Sequence, residues 1–385
     1  MGAYLSTPVT EKESFDGQGH KVRFGGCEMQ GWRRTMEDAH IADTSIGGNT
    51  GEPGTAQLFG VFDGHGGSEV AKFCQLYMAG ELEKQEHFHK GENDKALENV
   101  FHRMDEMLRD GKYMAQIQSL KSKSKAEADT EGGGEDGTGE KNDALEVLRK
   151  MLMLKRMMNN ENGGASGAGS SAPAAIEDAT AVVDEVADMD ADADEDCELP
   201  EHKIQAGCTA VVAMLRDGKV YVANAGDSRA VLCRGGTAVA LSSDHKPAQE
   251  REKNRIEAAG GFLSDIGGVC RVNGNLNLSR AIGDLKYKAN SDLHPAQQII
   301  TAHPDVMCET IKPEDEFLLL ACDGVWDVMS NQEGIDFVRQ RLKADKPLSE
   351  VTAELVDTCM ASDPKETRGI GCDNMTALIV QLNIP

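Results

Sequence analysis

No stretch of this 385-residue chain is apolar for long enough to cross a bilayer, and its N-terminus lacks the pattern of a secretory signal. A soluble protein of the cytoplasm or nucleus is expected. The ten cysteines include no Cys-x-x-Cys pair, so neither a zinc site nor a redox motif is indicated, and a reducing compartment fits. Positive charge is also scarce: 40 Lys and Arg stand against 65 Asp and Glu, a net charge of −25. Such a chain repels nucleic acid, which disfavours a nuclease, whereas basic proteins would be attracted. There is no Gly-x-x-x-x-Gly-Lys-Ser/Thr loop to cradle a nucleotide and no Gly-x-Ser-x-Gly elbow. No covalent Ser or Cys nucleophile is expected.

What is present begins with Leu58-Phe59-Gly60-Val61-Phe62, an apolar run that reads as a buried strand and stops at Asp63-Gly64-His65-Gly66-Gly67. Asp63 is a hard oxygen ligand suited to Mg²⁺ or Mn²⁺. Gly64 and Gly66 let the backbone turn sharply and bring a carbonyl close to an ion. His65 adds a titratable group. The theme returns where Phe317 to Ala321 runs into Cys322-Asp323-Gly324, and Asp373-Asn374 stands at the edge of a last apolar run, Ala377 to Leu382. Upstream lie Arg33, Glu37 and Asp38. In an extended segment Glu37 and Asp38 point to opposite faces, so one of them, Glu37, faces the ion that Asp63 faces. Arg33 shares that face and can fork onto a phosphate.

Carboxylates gathered without a cation would repel one another and hold protons. Divalent ions resolve the conflict, and oxygen-only ligands select Mg²⁺ or Mn²⁺ over zinc. Two ions roughly 3.5–4 Å apart would acidify a water and clamp an in-line displacement at phosphorus. Arg33 would hold the phosphate and His65 would protonate the leaving alkoxide.

The spacing predicts a helix from Ser68, as its N-cap, to Leu82, and another over Asp94 to Leu108. From 111 to 201 the composition changes. Glycine runs flank one amphipathic segment, Ala144 to Met158, read as a helix packing on its own domain. Ile176 to Glu201 then holds twelve acidic residues and no Lys or Arg. This stretch reads as an insertion within one domain, because neither flank closes a site alone. Beyond it, Gly207 to Met214, Lys219 to Ala225 and Arg229 to Leu232 suggest an antiparallel meander. Asn254 to Ala259 reads as the end of a helix stopped by Gly260-Gly261, and helices follow through Val338 and Leu342 and from Leu348 to Met360. Stacked sheets flanked by helices are expected.

Taken in order, Gln30-Gly31-Trp32-Arg33 with Met36-Glu37-Asp38-Ala39-His40, Asp63-Gly64-His65-Gly66-Gly67, Ala225-Gly226-Asp227-Ser228-Arg229, Asp244-His245-Lys246-Pro247, Arg271-Val272-Asn273-Gly274, Ser279-Arg280-Ala281-Ile282-Gly283-Asp284, Ala321-Cys322-Asp323-Gly324 and Asp373-Asn374-Met375 resemble the motif series of the type 2C metal-dependent Ser/Thr protein phosphatases. The match covers roughly 20–110 and 202–385, and the start and acidic insertion resemble the gamma branch. The resemblance implies an α+β fold, a β-sandwich of two antiparallel sheets flanked by α-helices. It gives a catalytic domain over 20–385 interrupted by 111–201, behind an N-terminal arm, 1–19. It implies a monomer that hydrolyses phosphoserine and phosphothreonine in phosphoprotein substrates with two Mn²⁺ or Mg²⁺ ions. Asp63 would bridge both ions. The Gly64 carbonyl and Glu37, through water, would serve one ion, and Asp323 and Asp373 the other. Asp38 would support the cluster, and Thr209, Asp227 and Asp327 match positions associated with a weaker third ion. Arg33 would bind substrate phosphate and His65 act as the acid. Cys208 departs from the family, which often has Ser there.

Two features stand outside that reading. Met1-Gly2-Ala3-Tyr4-Leu5-Ser6 fits an N-myristoylation pattern at Gly2, and a single acyl chain supports only reversible membrane contact. The acidic tract suits basic proteins such as histones, and a metal-bound binding module is the rival to an enzyme.

Overall fold

The computed structural model describes residues 4–121, 204–344 and 346–382. Two antiparallel sheets dominate. One runs, edge to edge, β1 (Val9–Gly19), β2 (Val22–Gly31), β16 (Met375–Gln381), β15 (Asp315–Ala321), β9 (Arg229–Arg234) and β10 (Thr237–Ala240). The other runs β14 (Asp305–Thr310), β8 (Lys219–Ala225), β7 (Ala210–Arg216), β4 (Ala56–Phe62) and β3 (Ala39–Ile46). A small sheet orders β13 (Ile282–Gly283), β6 (Gly207–Cys208) and β5 (Gly64–His65), and β11 (Leu263–Ile266) pairs with β12 (Val269–Val272). The helices are α1 (Glu69–Glu83), α2 (Glu86–His89), α3 (Asn93–Arg109), α4 (Met114–Ser119), α5 (Glu250–Ala258), α6 (Asp323–Trp326), α7 (Asn331–Leu342) and α8 (Leu348–Cys359). This is the expected sandwich with flanking helices. Among the described residues no helix is long and apolar enough to cross a membrane.

The strands explain the layers. In β15, Leu318 and Leu320 join Phe59, Val61, Val211 and Val222 of the opposite sheet in one core. Phe317, Leu319 and Ala321 point the other way, into a core with Ile335, Val338, Val351 and Leu355 of α7 and α8. Both faces of the strand are buried, so its sequence is a continuous apolar run rather than an alternation.

Three expectations change. The stretch 1–19 is not a separate arm: Val9–Gly19 is the edge strand β1, paired with β2. The folded domain does not stop at 111 either. Met114–Ser119 is helical, with Ile117 and Leu120 buried and the Tyr113 ring set edge-on against Phe73 and Tyr77. Ser68 does not cap α1 with its side chain; its hydroxyl donates to the Leu120 carbonyl at 2.9 Å, fastening α4 to the start of α1. The helix expected to end at Ala259 spans Glu250–Ala258. Gly2, the 144–158 segment and the acidic tract lie outside the described residues.

Candidate metal centre

Four aspartates stand where strands end or begin. Asp63 directly follows β4, every residue of which is buried. Asp323 opens α6, just past β15, where the helix N-terminus favours an anion. Asp227 lies in the turn from β8 to β9, and Asp373 precedes β16. One carboxylate oxygen each from Asp63, Asp227 and Asp323 lies within 4.8 Å of the others. Asp373 pairs with the Arg33 guanidinium. Asp227, read from the resemblance as a residue for a third ion, is thus a member of the central group.

Local chemistry holds these residues in place. The Asp63 carbonyl accepts the Thr209 N–H at 2.9 Å. Thr209 steadies Asp63 through its backbone N–H, and its hydroxyl is paired with that of Ser228 at 2.8 Å. Gly64 has no room for a side chain, because a Cβ there would collide with the Glu37 carbonyl oxygen. Glu37 accepts from the Thr35 hydroxyl at 2.7 Å and from the Gly67 N–H at 3.0 Å. Both of its oxygens are engaged by the protein, which suits an ion reached through water. Asn374 stitches the loop that carries Arg33 and Glu37. It donates to the Gln30 and Thr35 carbonyls and accepts from the Glu37 N–H. Asp38 is buried, with one oxygen on the Thr376 hydroxyl at 2.7 Å and the other without a partner among the described residues, while Glu37 engages Thr35 and Gly67.

The electrostatics record crowding of like charge. Burial and then the charges of Asp323, Asp38, Asp373 and Asp227 push the Asp63 carboxyl well above its ordinary range. Burial, Asp227, Asp373 and Asp327 do the same to Asp323. Burial raises Asp38 to about 8. Asp373 is also raised, mainly by burial, with Arg33 opposing. Asp327, one helical turn after Asp323, is raised by burial and then relieved by Lys246. Buried carboxylates with oxygen donors only, one of them (Asp227) with an orphaned oxygen, fit a hard divalent cation and not a softer metal. Asp63, Asp227, Asp323 and Asp373 could hold it.

At the rim, Arg33 is half exposed and spends one nitrogen on Asp373. His65 lies two residues past Asp63 with its Nε2 2.6 Å from Asp284 Oδ2. Sequence reasoning gave no role to Asp284 or to Lys246, whose ammonium pairs with Asp227. Both sat in motifs already quoted, but only the fold brings them to their partners. One spacing was passed over: Cys27 and Arg33 form a literal Cys-x₅-Arg. Cys27 is wholly buried in β2 and burial raises its thiol to about 12, so it offers no thiolate nucleophile.

Comparison with known proteins agrees with this geometry. A family model described as "Protein phosphatase 2C" matches residues 22–132 and 160–367. "Probable protein phosphatase 2C 11" of Oryza sativa subsp. japonica is 39% identical over 385 residues, covering 100% of this chain and 92% of that protein. "Protein phosphatase 2C homolog 2" of Schizosaccharomyces pombe is 39% identical over 382 residues, covering 99% of this chain and 78% of that one. Among solved structures, a phosphatase from Toxoplasma gondii aligns with a TM-score of 0.60 at 22% identity, over 97% of this chain and 96% of that one, a likeness of fold.

Proposed function

The chain belongs to the protein phosphatase 2C family and is a metal-dependent protein serine/threonine phosphatase, and from that premise we propose how its own residues divide the work. The observation that carries the reading is the convergence of Asp63, Asp227 and Asp323 to within 4.8 Å. We assign to this group, with Asp373, Glu37 and the Gly64 carbonyl, two Mn²⁺ or Mg²⁺ ions, and to Asp227 and Asp327 a weaker third. When bound, such ions supply an acidified water and offset the charge of the phosphoryl group.

The remaining work falls to side chains. Arg33, with donors to spare beyond its bond to Asp373, forks onto the phosphoryl oxygens and orients phosphorus over the carboxylates. His65 in its charged form gives a proton to the departing serine or threonine oxygen. Asp38, behind the cluster, backs the carboxylates without facing substrate. Phosphoproteins are the substrates. The acidic 176–201 tract recruits basic ones, and acylation of Gly2 gives reversible contact with a membrane. The enzyme works as a monomer in the cytoplasm or nucleus.

The test is phosphate release from a phosphothreonine peptide with Mn²⁺, with Mg²⁺ and with EDTA, for wild type and Asp63→Asn together. Activity that needs both metal and Asp63 is expected. Full activity of Asp63→Asn overturns the site assignment, and a wild type inactive under every metal favours the binding-module reading.

A further inference from the structure

The hydrogen bonds of His65 set it apart from the rest of the site. Its Nε2 is 2.6 Å from Asp284 Oδ2, while its Nδ1 has no partner. Among the described residues, Asp284 is therefore the one side chain hydrogen-bonded to the ring. Asp284 is itself fixed. It is buried, its backbone takes the left-handed conformation at φ +50°, and its N–H donates to the Ala206 carbonyl at 3.0 Å. Gly283 before it is also left-handed, at φ +82°, and its N–H is held by Asp105 Oδ1 at 2.8 Å. A non-glycine residue in that conformation is strained and persists only where surrounding structure enforces it.

The small sheet supplies the enforcement. Gly207 in β6 pairs with His65 of β5 on one side and with Gly283 of β13 on the other. The imidazole and the carboxylate meet across Gly207, where a Cβ would collide with Asp284 Oδ2 and lie 2.7 Å from His65 Nε2. Three chain segments more than 200 residues apart at the extremes (65 against 283) are thus registered so that one carboxylate reaches one imidazole nitrogen.

We propose that Asp284, seated over Gly207, is the positioning residue for His65 in this reaction, fixing the ring's orientation and tautomer. Among the described residues, the side chain that the Asp284 carboxylate hydrogen-bonds is His65, not one of the metal-binding carboxylates. In the step it serves, the oxygen of water bonds to phosphorus as the bond from phosphorus to the seryl or threonyl oxygen breaks. That oxygen takes its proton from the imidazolium, and the ring is recharged by the proton the water has lost. A buried carboxylate opposite an imidazole holds one ring orientation and one tautomer, and that hold is lost when the carboxylate becomes an amide.

The inference rests on His65 being the acid, and the experiment separates the two. Wild type, His65→Gln, Asp284→Asn, Asp284→Glu and Gly207→Ala are compared on a phosphothreonine peptide and on p-nitrophenyl phosphate, whose leaving group needs little protonation. Mn²⁺ affinity and thermal melting are measured beside them. Asp284→Asn should lower kcat on the peptide by roughly 10–100-fold, the range seen when a histidine loses an orienting partner. KM, Mn²⁺ affinity and the rate on p-nitrophenyl phosphate should stay near wild type. Asp284→Glu should recover part of the loss. Gly207→Ala, which pushes the pair apart without touching either charge, should reproduce the selective defect even where Asp284→Asn fails to fold. Equal slowing of both substrates by Asp284→Asn and Gly207→Ala, while His65→Gln remains selective, overturns the role of Asp284. A His65→Gln enzyme that slows both substrates equally overturns the acid assignment itself.

Discussion

At the scale of single residues, the site is a set of close approaches that tolerate little added volume. Gly64 shows this most directly, since any Cβ there meets the Glu37 backbone. Gly64→Ala should fold, because the position does not need a positive φ, yet weaken Mn²⁺ binding by separating Asp63 from Glu37. Titration calorimetry with Mn²⁺ reads the change, and an affinity equal to wild type would remove Gly64 from the site. In the cores the same density makes Leu319→Ala costly, about 2–5 kcal/mol by denaturant unfolding, because Leu319 is fully buried between β15 and the helices. Much of this scale was legible in advance. Asp63 and Asp323 declared themselves because a wholly apolar strand ending in Asp-Gly places a charge at the edge of a core. Asp284 and Lys246 did not, because nothing in their neighbours in sequence says which partner the fold will bring.

At the scale of elements, the stretches read correctly were those whose burial is one-sided or complete. Helix α3 keeps Leu97, Val100, Phe101, Met104 and Leu108 on its inner face, and it spans Asn93–Arg109 where Asp94 to Leu108 was expected. Strand β1 was missed for the opposite reason. Val9–Gly19 is half exposed and mostly polar, and its conformation comes from pairing with β2 and from Phe15, whose ring stacks on His40 at 3.8 Å. Ser68 misled because a serine before a helix resembles a cap, while here its hydroxyl is claimed by Leu120. A true capping box sits at Ser330 and Glu333, at the start of α7. Ser330→Ala should lower stability by about 1 kcal/mol while leaving phosphatase activity untouched, since the cap serves only α7. Urea unfolding monitored by circular dichroism, alongside the peptide assay, checks both halves of that statement.

At the scale of the whole molecule, the buried carboxylates make stability depend on pH with a definite sign. Asp63 and Asp323 are raised far above ordinary carboxyls, and Asp38 to about 8, chiefly by burial. A carboxyl whose folded pKa exceeds its unfolded value keeps a proton that the unfolded chain has released. Its contribution is intact below the unfolded value and is lost as pH climbs through the folded one. In EDTA the melting temperature should therefore fall from about pH 5 to about pH 8, as the unfolded chain sheds these protons first. Mn²⁺, which favours the ionised groups, should raise melting more at the upper end of that range. A melting temperature that rises with pH in EDTA would contradict the clustering. The order of the sheet carries one more consequence. β16 lies between β2 and β15, and Asp373 stands just before it. During synthesis, then, the six-stranded sheet remains divided and the loop that carries Arg33 and Glu37 lacks its Asn374 tether until residues 373–381 have emerged from the ribosome. The nascent enzyme is silent until β16 has been made and paired, a delay that needs no inhibitor.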